Sequence, residues 1–318
     1  MNSTARPKRT RMKSTAVWVT VCLPLSIILT AEVQGAGGQS PSGSQVGTNM
    51  KKDWTRVGDL GQQPRHVHQD LPLSDQSNSG HWVLDKRFCD EFKGRSLNLK
   101  RWHVLPTSPD DWKGREPAMF LPSNVTVKNG TLSLAFRKGD VPEMNGLKGY
   151  KDYTSCAIKT YERSGYGYYE ARTRPGRSSA SSGFWLTDTG REDYKSEIDI
   201  FEIGANSPKF MHKYNMTLHV WGTPQSKEHW GRMSEWITPW NFADEFHTYG
   251  FEWDKDYCAW YIDGVPVRTA VNTDWFYPMQ IYFDVEAQFP WFGSVNDADL
   301  PAFFDIKYLR VWRHKEAS

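Results

Sequence analysis

Apolar and polar residues alternate with period two through most of the chain beyond residue 124, the spacing of half-buried β-strands rather than of helices. NVTVKNGTLSLAF (124–136) reads as two strands around Asn129-Gly130, and WYIDGVPVRT (260–269) repeats the device around Asp263-Gly264. SGYGYYEARTR, SGFWLTD, SEIDIFEI, YNMTLHVWG, FHTYGFEWD, MQIYFDVEA and FFDIKYLRVW add further strands. No long stretch carries the 3.6-residue period of an amphipathic helix. The predicted class is all-β, with enough antiparallel runs for two stacked sheets.

Parity then sorts side chains by face. Met216, Leu218 and Val220 fall on one side of their strand, with Asn215, Thr217, His219 and Trp221 on the other. Phe184 and Leu186 oppose Trp185 and Thr187. Ile281, Phe283 and Val285 oppose Tyr282, Asp284 and Glu286. Each strand thus has an apolar face for a core and a second face of acids, amides, His and Trp. Trp beside carboxylates on a broad sheet suits a groove that stacks sugar rings and hydrogen-bonds their hydroxyls.

SEIDIFEI (196–203) breaks the alternation. Ile198 and Ile200 oppose Glu197 and Asp199, but Glu202 lies an odd step further on and would face the other way in a regular strand. One extra residue between Asp199 and Glu202, a β-bulge, returns it to the face of the other two acids. The two Glu Cα atoms are then about 13 Å apart. Inward-reaching side chains leave their carboxyls roughly 5 Å apart, the separation of retaining glycosidases rather than inverting ones. At that distance one carboxyl should keep its proton near neutral pH while the other is ionised. An acidic strand can also bind calcium or simply be solvated. Trp and His on the flanking strands favour catalysis.

Composition sets the limits. The 318 residues include 15 Trp, 14 Tyr and 16 Phe, which suits a β-rich core and a stacking surface. A formal charge of +2 excludes the basic excess of a nucleic-acid binder. Lys8, Arg9, Arg11 and Lys13 precede an apolar run from about residue 16 to 31, and small residues follow at Val33, Gly35 and Ala36. Residues 1–35 therefore read as a signal peptide, and the mature protein as secreted or periplasmic, with no membrane span after cleavage. Residues 36–80, rich in Gly, Ser, Gln, Pro and Asp, read as a flexible leader or N-terminal arm, and 81–318 as the catalytic domain. Cys89, Cys156 and Cys258 read as three buried, unpaired thiols, and no Cys/His spacing suggests zinc. Sequons occur at Asn124, Asn129 and Asn215.

At Glu197, Asp199 and Glu202 the sequence resembles glycoside hydrolase family 16, whose bulged motif is E-x-D-x-x-E. FCDEFKG, GYGYYEARTRP, SSGFWLTD, HTYGFEWD, WYIDG and IKYLRVW extend the similarity over about 88–312. The resemblance implies a β-jelly-roll sandwich of two antiparallel sheets with a concave cleft. It also implies Glu197 as nucleophile, Asp199 as its assistant and Glu202 as acid/base, with no cofactor for catalysis. WKGREPAMFLPSNVTVKNG (112–130) and KYNMTLHVW look like the branch that degrades red-algal galactans. The expected partner is therefore a marine galactan, and the expected reaction endo-hydrolysis of its β-1,4-galactosidic bonds.

Trp112, Trp185 and Trp221 are the candidates for stacking on sugar, with His219, Asn215 and Glu286 beside them. Arg115 and Arg174, together with Arg177 and Arg232, are expected at the rim, where guanidinium groups can fork onto sulfate esters. This leans the substrate towards a sulfated polymer of the porphyran, furcellaran or carrageenan type. Neutral agarose, a laminarinase-type β-1,3-glucan and a non-catalytic jelly-roll lectin are the alternatives; a lectin has no need of all three acids. The resemblance also raises a structural calcium at Asp305 with Asp90 or Glu91.

Overall fold

Asn129 and Gly130 both adopt positive φ, 51° and 67°, as do Asp263 and Gly264, at 48° and 77°. Both dipeptides turn hairpins as their sequence requires. The computed structural model describes residues 52–142, 148–188, 194–222 and 228–315. Its first strands are β1 (Trp54–Thr55), β2 (Trp82–Leu84), β3 (Trp102–Leu105), β4 (Ala118–Phe120), β5 (Val125–Lys128) and β6 (Thr131–Lys138). Then come β7 (Tyr153–Thr160), β8 (Gly167–Arg174), β9 (Ser181–Thr187), β10 (Ser196–Ile203), β11 (Lys213–Trp221) and β12 (His229–Ile237). The last are β13 (His247–Trp253), β14 (Tyr257–Ile262), β15 (Val265–Val271), β16 (Gln280–Glu286) and β17 (Ala302–His314). The only α-helical segment among the described residues is one turn, Phe289–Phe292.

Two antiparallel sheets result. The cleft sheet runs β3-β7-β16-β9-β10-β11-β12. The outer sheet runs β1-β15-β14-β13-β8-β17, and β6 and β2 share the far edge of β17. Strand β7 also pairs with β6 and β4, which ties the two sheets together at one end. Between them lies a core in which Phe201 of β10 packs on Tyr249 of β13 and Phe304 of β17, with ring centroids 4.4 and 5.9 Å apart. Ile198, Met216, Leu218 and Phe283 are fully buried there, as their parity requires.

The signal peptide expected at 1–35 lies outside the described residues. Of the stretch expected to be a flexible leader or arm, the described part, 52–80, is an arm packed on the fold. Strand β1 pairs with β15, and Leu60 and Leu73 are buried. Carbonyls of Gly58 and Asp70 accept the indole N–H groups of Trp236 and Trp312 at 2.9 and 2.7 Å. The Leu73 amide donates to the buried Glu170. Polar composition hides this role, because the arm docks mainly through backbone groups.

Cys156 and Cys258 are buried free thiols, and Cys89 is free and half-buried. Asn124 and Asn215 are also buried, which leaves these two sequons unsuited to carry a glycan.

Candidate active site

The bulge is present where the acid spacing demands it. Asp199 pairs with Thr217 and Glu202 with Asn215, so three steps along β10 match two along β11. On the other side, Asp199 and Phe201 stand opposite Trp185 and Phe184. Ile200 and Phe201 both enter the core, and Glu202 rejoins the face of Glu197 and Asp199.

Cross-strand rows then assemble the site. Asp199, Trp185, Tyr282 and Lys159 lie in one row across β10, β9, β16 and β7. Trp185 stacks on Tyr282, with centroids 4.1 Å apart and planes at 21°. The next row is Glu202, Gly183 and Asp284. Asp284 reaches back to accept the Trp185 indole N–H at 2.9 Å. Glu286 follows on the same face of β16 and accepts from Arg115 Nε at 2.6 Å. Gln288, just past β16, donates to Glu202 Oε1. Above them opens a cleft of about 840 Å³ whose lining includes Trp112, Trp185, Trp221 and the three acids.

The electrostatics favour proton sharing. Oxygens of Glu197 and Asp199 and a ring nitrogen of His219 all lie within 4.8 Å of one another. Burial, then the charges of Asp199 and Glu202, hold the Glu197 carboxyl well above the usual carboxylate range, against the pull of Lys195. Burial and Asp199 raise Glu202 in the same way, opposed by Gln288 and Arg115. Burial and Glu286 raise Asp284. Carboxyls crowded in this way cannot all ionise together, so the site retains protons into the neutral range.

Comparison with known proteins follows the same lines. The family model described as "Beta-porphyranase A-D, GH16 domain" matches residues 82–314. The chain belongs to glycoside hydrolase family 16. Beta-porphyranase B of Zobellia galactanivorans is 29% identical over 221 residues, 64% of this chain and 70% of that one. The kappa-carrageenase of Pseudoalteromonas carrageenovora is 27% identical over 270 residues, 73% and 64% of the two chains. The crystal structure of a beta-porphyranase from the gut bacterium Bacteroides plebeius superposes with a TM-score of 0.65 at 26% identity. It covers 77% of this chain and 95% of that one. The family 16 chain is thus a glycoside hydrolase with a jelly-roll fold.

Most of the expected site residues converge. Glu197, Asp199, Glu202, Trp112, Trp185, Trp221, Arg115 and Glu286 line the cleft. His219 stands beside Asp199, with Nε2 3.3 Å from Oδ2. Asn215 shares this face but is wholly buried. Its amide donates to the Glu202 carbonyl at 3.0 Å, so it braces the bulge and cannot touch a polymer.

Arg174 is not at the cleft. It lies on β8 of the outer sheet, paired with Asp305 at 2.7 Å. Arg232 stands opposite the core residue Leu218, so it faces away from the acids. Arg177 pairs with Asp244.

The calcium reading does not fit either. Asp305 Oδ2 holds Arg174, and its Oδ1 accepts from Ser133. Asp90 accepts from the Trp102 indole and the Phe92 amide and faces Arg101 at 3.3 Å, while Glu91 pairs with Arg310. Cationic partners occupy the positions a metal would need.

Four further residues complete the site. Tyr282 and Asp284 were legible from the parity of β16. Lys195, whose ammonium lies 4.4 Å from the Trp221 ring centroid, and Gln288 stand outside the alternating runs, where parity carries no signal.

Proposed function

We propose that this chain is a secreted endo-hydrolase that cleaves β-1,4-galactosidic bonds of a red-algal galactan with retention of configuration. The observation that carries the reading is the bulge that aligns Glu197, Asp199 and Glu202 beneath a Trp-lined cleft. The lining reaches from Lys159 on β7 to Trp221 on β11, about 19 Å at about 4.8 Å per strand, room for several sugar rings and hence for an internal stretch of polymer.

In this reading ionised Glu197 attacks the anomeric carbon, and Glu202 gives its proton to the departing glycosidic oxygen. The resulting ester leaves Glu202 ionised. Glu202 then takes a proton from water as that water attacks the anomeric carbon and frees Glu197. Asp199, next to Glu197, tunes its proton. Trp185 and Trp221 offer ring faces to the sugars. Arg115, anchored through Nε to Glu286, presents its remaining N–H groups to a sulfate ester. The porphyranase and carrageenase relatives favour a sulfated galactan over neutral agarose. The basic and apolar N-terminal stretch supports export.

The test is product analysis on porphyran, furcellaran, κ-carrageenan, agarose and laminarin, with proton NMR of the first anomer released. Even-sized oligogalactans appearing first as the β-anomer are expected. Glu197→Gln should reduce turnover by about a thousandfold or more with the fold intact. An α-anomer as first product rules out double displacement. Activity of the variant within tenfold of the parent removes Glu197 as nucleophile.

A further inference from the structure

His219 and His229 form a short chain of rings running outwards from Asp199. On the β11–β12 ladder His219 stands opposite Gly231, and Trp221 opposite His229. A Cβ on Gly231 would lie 2.9 Å from His219 Nδ1, so the glycine makes room for the imidazole to lean towards β12. There His219 Nδ1 meets His229 Nε2 at 3.0 Å. The Trp221 ring stacks on both, at 5.0 Å from His219 and 4.8 Å from His229, the latter nearly parallel at 9°.

At the inner end, the Asp199 side chain is 4% exposed, and His219 Nε2 stands 3.3 Å from its Oδ2. No aligned donor reaches that oxygen among the described residues. At the outer end His229 is exposed.

A neutral imidazole carries one N–H, and the partner of one nitrogen decides the state of the other. If His219 is to donate from Nε2 to a carboxylate, its Nδ1 must accept, and the atom facing Nδ1 is His229 Nε2. Burial, then His219 and Lys195, push the His229 imidazole below its ordinary value, which keeps it neutral at neutral pH with a single N–H to give.

We propose that His229 is a positioning residue: its Nε2–H donates to His219 Nδ1 and holds His219 in the tautomer whose Nε2–H faces Asp199. The proposal rests on the reading of Glu197, Asp199 and Glu202 as the catalytic acids. Asp199 is the charge that does most to raise both glutamates, so a donor held against its Oδ2 governs how firmly they keep their protons. The other charged groups facing this chain are Lys195 above Trp221, and Glu286 and Arg268 around Asp199. Glu228 precedes His229 in sequence.

The experiment compares His229→Phe, which keeps the stack on Trp221 but loses the nitrogen, with His229→Gln, which keeps a donor. Both are assayed on whichever polymer the parent enzyme cleaves, with Glu197→Gln in parallel. His229→Phe should lower kcat about tenfold or more, the usual scale for loss of a group that orients an active-site ligand, with KM within about twofold. Losing the donor weakens the Asp199 charge that raises both glutamates, so the acid limb of the kcat profile should move to lower pH. His229→Gln should recover most of the rate. Unchanged kcat and pH limb in His229→Phe, a change confined to KM, or no recovery in His229→Gln overturns the positioning role. If Glu197→Gln is inactive in those cases, the acid assignment stands and only His229 loses its part. If Glu197→Gln stays active, both fall.

Discussion

Asp284 leans over Gly183 across the β9–β16 ladder, and a Cβ on that glycine would come within 2.3 Å of its Oδ1. Gly183 also stands directly opposite Glu202, so the missing side chain is what lets a second carboxyl approach the proposed acid/base. Gly183→Ala must displace Asp284 and, with it, the hydrogen bond that orients Trp185. Overpacking of this kind costs about 1–3 kcal/mol. The expected result is a lower melting temperature and a kcat reduced about tenfold, the scale of a displaced orienting group. Thermal melts and initial rates check both; a variant normal in each would show that the cleft tolerates the methyl and that Asp284 need not sit there.

Glu170 makes stability depend on pH. Burial lifts its carboxyl to about 7, although the Leu73 amide and the Tyr308 hydroxyl both donate to it. An unfolded chain releases this proton near 4.5 and the folded one only near 7. Between those values the folded state binds more protons, so this group's contribution falls as pH rises, by about 3 kcal/mol in all. Glu170→Gln removes the titration. In urea melts from pH 5 to pH 8, the variant should gain on the parent by about that amount as pH increases. A difference that stays constant with pH would mean that Glu170 is already ionised in the folded protein.

The sheet and its chemical face were legible because alternation is a local property. Parity alone placed Trp185, Trp221, Asp284 and Glu286 on one side, and the odd step between Asp199 and Glu202 announced the bulge. Depth is not local. Asn215 has the parity of a cleft residue but is wholly buried, with its amide bonded to the Glu202 carbonyl. Arg174 illustrates a second limit. Its partner Asp305 lies 131 residues away on β17, and only the stacking order of strands shows that β8 belongs to the outer sheet. The N-terminal arm was obscured for a related reason: besides Leu60 and Leu73, its anchors are backbone amides and carbonyls, which every residue carries.

Arg115 separates the binding of sulfate from support of the acids. Its Nε holds Glu286, and half of its side chain remains exposed over the cleft. Arg115→Lys keeps the charge beside Glu286 but loses the planar fork that matches a sulfate ester. A charge-assisted hydrogen bond contributes about 1.5–3 kcal/mol, or roughly a tenfold to hundredfold change in affinity. The expected outcome is a KM at least about tenfold higher on the sulfated polymer, with hydrolysis of the same polymer after chemical desulfation little changed. Equal losses on both would assign Arg115 to holding Glu286 alone. The sulfate preference would then have to come from another group in the cleft, and Lys159 and Lys195, which also line it, would be the next to replace.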